Sequence, residues 1–345
     1  MSDACGRLVC LSFLLFTSYV FALPPEPPAT EVLTKMAKAI RLLDYRGRLT
    51  YEHSGKIDVI EISHGVIGGL EYEKVSYLNG PDRSRSKSGN SSNCISPGSR
   101  LLSGGFLTMP NGSHSSIDQS YSFVFVGEDR IAGRDAWVIR LQPKDDYRYS
   151  VVLGVDKTTY LPLKSLLIAN GRNVLERLHF ISLETEPSLN AASFDFPSEE
   201  GSGVGSKGPC TGQSRSLDLE SYWQPTWVPP GFVLSEYSYS EEDGHVETYT
   251  DGIATFSVFV APTSIDGADF SDSSASFLAI PTSLKRGATV IVMAPVSTAD
   301  SRFGVSVVGE IPGATASKIL TTVALVTAPL RVKSASEDAP PTKAN

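Results

Sequence analysis

The stretch Tyr249-Thr-Asp-Gly-Ile-Ala-Thr-Phe-Ser-Val-Phe-Val260 decides the fold of this chain. Asp251-Gly252 is a turn dipeptide, and the β-branched and aromatic residues that follow it are typical of a strand. Successive side chains of a strand point to opposite faces, so the even-numbered residues from Ala254 to Val260 share a wholly apolar face. The odd-numbered residues from Ile253 to Phe259 share the other face. The apolar face must be covered by a second layer, so the stretch predicts part of a core and no catalytic chemistry.

A smaller domain of strands and one helix is predicted around this stretch. Arg286-Gly287 is a second turn, followed by the apolar run to Met293, and Val305 to Pro312 has the same character. We expect the domain to cover residues 217–330. Its predicted strands are Gly231–Tyr239, Thr248–Val260, Ala288–Ala294 and Val305–Glu310, and its predicted helix runs from Gly313 to Leu325.

The preceding part of the chain, residues 29–196, predicts a larger domain with one helix and many strands. Apolar residues recur at helical spacing from Val32 to Leu43, and Thr30 is the predicted N-cap. Strand patterns joined by short connections then continue to about Leu183, which favours an antiparallel sheet. Asn170-Gly171 is a strong hairpin signal. The predicted fold class is therefore mainly β (α+β), with a curled antiparallel sheet, a covering helix and a smaller C-terminal α+β domain.

One helix can hardly cover a sheet of this width, so the larger domain predicts an apolar cavity. Uncovered apolar surface of several hundred Å² normally marks a ligand or partner site. The alternative at any single position is an ordinary core residue beneath the helix. The predicted lining residues are Phe123, Phe125, Trp137, Ile139 and Leu166.

Composition and termini bound the function. The net charge of −8 argues against a nucleic-acid partner, because neutralising phosphates needs a dense Lys/Arg surface. Residues 1–22 read as a secretory signal, with a mostly apolar run from Leu8 to Phe21 and a cleavage site after Ala22. A membrane anchor is the alternative, but a span needs about 20 apolar residues.

Residues 197–216 predict a Gly/Ser-rich linker, and residues 331–345 a disordered tail.

Chemistry-bearing motifs do not emerge from the sequence. The five histidines have no metal-ligand spacing, and neither a nucleophile elbow nor a phosphate loop occurs. We therefore predict no catalytic residues, no metal and no cofactor, which makes an enzyme the disfavoured class. Cys94 and Cys210 would remain after signal cleavage, both in Ser/Gly/Pro-rich segments. A disulfide between them and two free thiols stay open alternatives.

Several blocks of the chain, in order from about Val32 to about Val323, resemble one family. In the larger domain they are Asp44–Tyr51, Leu78–Pro81, Arg130–Arg134, Pro143–Tyr149, and Leu175-Glu176 with Phe180. With the two C-terminal stretches, they resemble the MucB/RseB family of periplasmic regulators of the envelope-stress sigma factor. The chain departs from the family pattern at Gly154, where a large aromatic residue is expected, and at Arg83–Lys87, which replaces an acidic and aliphatic stretch.

The resemblance implies a larger domain shaped like the lipoprotein carrier LolA, a half-open barrel around an apolar cavity. It implies a periplasmic negative regulator that binds the periplasmic segment of a membrane-anchored anti-sigma factor of the RseA/MucA type and shields it from proteolysis. A lipid, lipopolysaccharide or mislocalised lipoprotein would be the ligand that releases it. The rival interpretation is a periplasmic lipid or lipoprotein carrier, which has the same larger domain but needs no C-terminal one.

Overall fold

The computed structural model describes residues 27–81, 83–88, 117–169, 173–194, 222–240, 244–262, 281–297 and 302–326. Within these ranges, every helix is too short or too polar to cross a membrane. The predicted signal segment, linker and tail lie outside the described residues, as do Cys94 and Cys210.

The larger domain is one antiparallel sheet with a helix packed against it. The sheet has nine strands in the order β4-β3-β2-β1-β9-β8-β7-β6-β5. Its helices are α1 (Ala29–Leu42) and α2 (Ile117–Ser120), with a 3-10 turn at Ala191–Phe194. The strands are β1 (Tyr45–His53), β2 (Lys56–Ile67), β3 (Leu70–Tyr77), β4 (Ser84–Ser88), β5 (Tyr121–Ile131), β6 (Arg134–Pro143), β7 (Ser150–Asp156), β8 (Pro162–Ile168) and β9 (Val174–Thr185). The predicted fold class of this domain is confirmed.

Helix α1 covers the inner face of the curled sheet. Val32, Met36 and Ile40 are fully buried in one cluster with Leu49 of β1 and Leu153 of β7. The prediction of Thr30 as the N-cap was wrong. The helix begins earlier, at Ala29, because the carbonyl of Pro28 accepts the first backbone hydrogen bonds from the next turn.

Gly154, the departure from the family pattern, has a physical explanation in the packing of β7. A Cβ atom built on Gly154 would lie 2.5 Å from Cδ1 of Ile131, at the end of β5. Ile131 is 1% exposed and therefore fills space that a side chain at position 154 would need. Position 154 therefore accommodates a glycine because the side chain of Ile131 fills the adjacent space.

The smaller domain is a six-stranded antiparallel sheet with a helix and a two-stranded ribbon. The sheet has the order β11-β12-β13-β16-β15-β14, and the ribbon pairs β10 with β17. The strands are β10 (Tyr222–Pro225), β11 (Val233–Ser240), β12 (Gly244–Thr250), β13 (Thr255–Pro262), β14 (Thr282–Arg286), β15 (Thr289–Ser297), β16 (Arg302–Gly309) and β17 (Val323–Val326), and the helix is α3 (Gly313–Leu320).

Two predicted boundaries in this domain were wrong. The segment Thr248–Val260 is not one strand, because a tight loop at residues 251–254 separates β12 from β13. The helix predicted to reach Leu325 ends at Leu320, since the residues from Val323 pair instead with β10. The apolar face predicted from Ala254 to Val260 is confirmed, because all four of its side chains are buried in the domain core.

A carboxyl group lies on the same face of the sheet as this core. Glu247 pairs with Val258 across β12 and β13, and it is 2% exposed. The Tyr249 hydroxyl donates to its Oε2 at 2.8 Å, whereas its Oε1 meets no donor among the described residues. Burial raises the pKa of Glu247 to about 7, and the hydrogen bond from Tyr249 opposes that rise. The folded domain therefore favours the protonated acid.

The stability of the protein should fall between about pH 4.5 and pH 7 because of Glu247. An unfolded glutamate ionises near pH 4.3, whereas the folded one keeps its proton to about pH 7, so rising pH favours the unfolded chain. The shift corresponds to about 3 kcal/mol. Urea unfolding at pH 5 and pH 8 measures the loss, and Glu247→Gln should remove most of it. Glu61 forms an exposed ion pair with Arg48, so the control Glu61→Gln should show the same loss of stability between pH 5 and pH 8 as the unaltered protein. An unchanged pH dependence in Glu247→Gln would contradict the assignment.

Candidate functional site at the inner sheet face and the domain junction

Four of the five predicted cavity residues lie on the inner face of the large sheet. Phe123 and Phe125 of β5 pair with Leu141 and Ile139 of β6, which are fully buried in the main core. Phe123, Phe125 and Trp137 are partly buried and pack against that core. Trp137 also lies against the ring of Tyr160. These aromatic side chains can contact an apolar ligand, but a ligand-binding role for them stays a prediction.

Leu166 was assigned to the wrong face. It pairs with Val152 on β7 and with Arg177 on β9, and Arg177 is exposed on the outer face. Its neighbour Leu167 is the residue that packs against the inner core. Since Leu166-Leu167-Ile168 is an unbroken apolar run, it lacks the alternation that would reveal which residue points inward.

A buried ion pair joins the two domains at one rim of the large sheet. Arg148, between β6 and β7, donates from Nε to Oδ2 of Asp251 at 2.6 Å, and both residues are almost completely buried. The Arg148 guanidinium also donates to Asp145 and to the carbonyl of Pro230, and it lies over the ring of Phe232. Burial alone would lower the pKa of Arg148, but the Asp251 carboxylate raises it above its ordinary value. The guanidinium thus stays charged at every accessible pH.

The loop that carries Asp251 is held rigid by hydrogen bonds to its own backbone. Asp251 Oδ1 accepts from the backbone N–H groups of Ile253 at 2.9 Å and Ala254 at 2.7 Å. Oδ2 is thereby left for Arg148 and for the hydroxyl of Tyr121, which donates at 3.2 Å. At the tip, Ile253 is buried in the apolar core of the larger domain, not in that of its own. The loop therefore inserts one apolar side chain into the neighbouring domain.

An aromatic contact adds to the junction beside Arg148. The rings of Tyr147 and Trp227 meet edge to face, with centroids 5.3 Å apart. Lys318 of α3 lies 3.7 Å from the centroid of Trp227, within range of a cation–π interaction. Residues from three separate parts of the smaller domain thus converge on Tyr147 and Arg148.

The second junction contact lies at the start of β9. The backbone N–H of Ala288, at the turn between β14 and β15, donates to Oε1 of the buried Glu176 at 2.9 Å. A half-open cavity of about 380 Å³ adjoins this contact. It is shared between the domains, and both charged and apolar residues line it: Glu52, His53, Ser54, Gly55, Val174, Leu175, Glu176, Arg177, Lys285 and Gly287.

Sequence reasoning missed the junction residues, although it had singled out the segments that contain them. Asp251-Gly252 was interpreted only as a turn, and Pro143–Tyr149 only as one of the blocks that resemble the family. The available signal was the clustering of Asp145, Tyr147 and Arg148 in a block resembling the family. Local sequence offered no indication that a carboxylate 103 residues further along would pair with Arg148.

Comparison with known proteins matches this two-domain arrangement. The sequence profile of the MucB/RseB N-terminal domain matches residues 28–197, and that of the MucB/RseB C-terminal domain matches residues 218–324. The chain belongs to the MucB/RseB family. The resemblance noted in the sequence is thereby confirmed.

Members of the family align over most of both chains. The sigma factor AlgU regulatory protein MucB of Pseudomonas aeruginosa is 30% identical over 323 residues, which are 90% of this chain and 96% of that protein. The sigma-E factor regulatory protein RseB of Escherichia coli is 25% identical over 276 residues, 73% of this chain and 82% of that protein. The solved complex of Pseudomonas aeruginosa MucA and MucB superposes with a TM-score of 0.65 at 29% identity, covering 86% of this chain and 99% of that one.

Replacing Asp251 with alanine should destabilise the protein by about 3–5 kcal/mol, because it leaves the buried Arg148 charge without its main partner. Asp251→Asn should recover part of this loss, since the amide oxygen still accepts a hydrogen bond. The measurement is urea unfolding of the full chain at pH 7. Glu61→Ala is the matched control, as it breaks an exposed arginine–carboxylate pair that should contribute less than about 1 kcal/mol. Equal losses of unfolding free energy in Asp251→Ala and Glu61→Ala would show that the buried pair stabilises the protein no more than an exposed pair does.

Proposed function

We propose that the protein is a negative regulator of an envelope-stress sigma factor and that it acts in the periplasm by binding the periplasmic segment of a membrane-anchored anti-sigma factor. The observation that carries this proposal is family membership across both domains. It is supported by the solved complexes of MucB with MucA and with the periplasmic part of MucA, at 29% identity and TM-scores of 0.65 and 0.64. Binding would shield the anti-sigma segment from the protease that begins the stress response.

A regulator that works by binding needs no catalytic group. The relatives are named regulatory proteins. In the part of the chain that the structure describes, no group of three or more His, Cys, Asp or Glu side chains could hold a metal ion. Two buried titratable residues with a raised pKa have structural surroundings: Glu247 lies in the smaller domain's core, and the hydroxyl of Tyr121 donates to Asp251 at the junction. Their arrangement favours a structural role over general acid–base catalysis.

The binding role is tested by titration calorimetry of the full-length mature protein. The ligand is the periplasmic segment of the anti-sigma protein encoded in the same genome, and the control is a scrambled peptide of the same composition. A saturable one-site isotherm with the native peptide alone is the expected result. Equal heats from the native and scrambled peptides would overturn the proposed function.

The inner sheet face supports a second element of the proposal, in which an apolar ligand weakens partner binding. Phe123, Phe125 and Trp137 are partly exposed aromatic residues that pack against the main core. A tenfold loss of partner affinity requires that the ligand prefer one arrangement of the protein by about 1.4 kcal/mol. Burial of two additional methylene groups would supply that difference, at roughly 0.8 kcal/mol each. A lipid carrier with the same larger domain would not need the smaller domain, whose Ile253 is buried in the larger one. Regulation is therefore the better-supported function.

The variant Phe125→Asp should abolish the effect of lipid on partner binding, because a carboxylate on the inner face opposes burial of an acyl chain. Calorimetric titration of the anti-sigma peptide is repeated with and without purified lipopolysaccharide. Val124→Asp is the control, since Val124 is the adjacent residue and is 50% exposed. The control should keep the tenfold response of the unaltered protein. If lipopolysaccharide leaves the affinity of the unaltered protein unchanged, the ligand effect is wrong, although partner binding stands.

A further inference from the structure

The half-open cavity between the domains holds a buried carboxylate with no cation beside it. Glu176 lines the cavity and is 7% exposed. Its Oε1 accepts from the backbone N–H of Ala288, and among the described residues no side chain forms an ion pair with it. His53, its neighbour across the strands, bonds to Asp58 instead, at 3.1 Å. Burying a carboxylate is costly unless a counter-charge or several hydrogen bonds satisfy it, so this site lacks a cation.

A second unsatisfied group lies next to this carboxylate. The hydroxyl of Tyr51 is buried and meets no hydrogen-bond partner among the described residues. Burial raises the pKa of Tyr51 and the nearby Glu176 carboxylate raises it further, although the two form no hydrogen bond of ordinary geometry. The Tyr51 ring stacks on that of His53, which lines the cavity, with centroids 4.7 Å apart. Buried polar groups are normally paired, and this corner of the cavity is short of donors.

The exposed part of the cavity lining has the opposite charge. Lys285 of β14 is exposed and forms no ion pair with any described residue. Arg177, by contrast, is paired with Glu52 at 3.6 Å. Val174 and Leu175 add apolar surface to the same lining. The cavity therefore combines a buried unpaired anion, an exposed unpaired cation and apolar side chains.

We propose that this cavity binds a small zwitterion, whose ammonium group pairs with Glu176 and whose carboxylate pairs with Lys285. A short alkyl chain joins the two charges and lies against Val174 and Leu175. Lysine and other ω-amino carboxylates have this chemistry. The volume of about 380 Å³ lies within the range of small-molecule sites, roughly 300–1,000 Å³. The proposal does not rest on the proposed function, because it uses only groups that line the cavity.

The ligand needs both charges. A simple cation would pair with Glu176 but gain nothing from Lys285, and a simple anion would gain only the contact with Lys285. An ammonium group also supplies three N–H donors to the corner that lacks them. Glu176 belongs to the larger domain and Lys285 to the smaller one, so the ligand bridges the domains as they already stand. No movement at the Arg148–Asp251 pair is required.

The experiment is calorimetric titration of the full-length mature protein at pH 7 with 6-aminohexanoate. Hexanoate lacks the ammonium group and hexylamine lacks the carboxylate, so the two analogues test the two charges separately. Saturable binding of 6-aminohexanoate is expected, with each analogue at least tenfold weaker, since a hydrogen bond to a charged group is worth about that factor or more. The melting temperature should rise with 6-aminohexanoate concentration, because the ligand binds only the folded protein.

Two variants test the two ends of the site. Glu176→Gln keeps an acceptor for Ala288 and removes the charge, and it should weaken binding of 6-aminohexanoate at least tenfold. Lys285→Ala changes an exposed side chain and should weaken binding by a similar factor without loss of the fold. Glu61→Gln makes the same chemical change as Glu176→Gln at a carboxylate outside the cavity lining, and it should leave the affinity unchanged.

Three results would overturn the zwitterion site. The first is the absence of saturable 6-aminohexanoate binding by the unaltered protein. The second is equal affinity for hexylamine and 6-aminohexanoate, which would mean that the carboxylate contributes nothing. The third is tighter binding by Lys285→Ala, which would show that the Lys285 ammonium itself occupies the place beside Glu176. Each of these results leaves the titration with the anti-sigma peptide unaffected, so the two proposals fail separately.

Discussion

The arrangement of the two domains depends on the ion pair between Arg148 and Asp251. Removing two charges from water is costly, and the cost is offset only where geometry and additional hydrogen bonds satisfy the remaining donors and acceptors. Here Asp145, Tyr121 and the Pro230 carbonyl supply those bonds. Rotating one domain by a few degrees would break several of them together. The pair therefore selects one orientation, whereas apolar contacts alone would tolerate many.

Asp251 can perform this task because its two carboxylate oxygens have separate partners. Oδ1 accepts from two backbone N–H groups and so determines the shape of the loop, while Oδ2 binds Arg148. The same loop then presents Ile253 to the larger domain's core. One residue thus couples the local conformation of the turn to the docking of the domains.

Sequence patterns predicted the parts of this structure that arise from local periodicity. The alternation from Ala254 to Val260 predicted the apolar face, and Arg286-Gly287 predicted the turn of the β14–β15 hairpin. Family blocks added the division into two kinds of domain. Leu166 was assigned to the wrong face because it begins the apolar run Leu166-Leu167-Ile168, which lacks the alternation of polar and apolar residues that distinguishes the two faces of a strand. The end of α3 was misplaced because pairing of Val323 with β10, a tertiary contact, overrides helical propensity.

The junction could not be predicted in the same way, since its partners are distant in sequence. Tyr121 and Asp251 are 130 residues apart, and Glu176 and Ala288 are 112 apart. Asp251 and Ala288, taken alone, are consistent with an exposed turn, and Tyr121 and Glu176 with the end of a strand. What distinguishes them is burial, and burial depends on how the finished domains meet.

The long separation between Arg148 and Asp251 also has a consequence for folding. The strands that flank Arg148 pair with near neighbours, so the part of the larger sheet from β5 to β9 can assemble from local hairpins by closing short loops. At that stage the guanidinium still has water as its partner, and the place of Ile253 in the core is vacant. Docking of the smaller domain removes water from the Arg148 guanidinium and at the same time inserts Ile253 into the larger domain's core. The last step of folding is therefore all-or-none for both domains, and a chain cut short before Asp251 would keep a hydrated, loosened rim on its sheet.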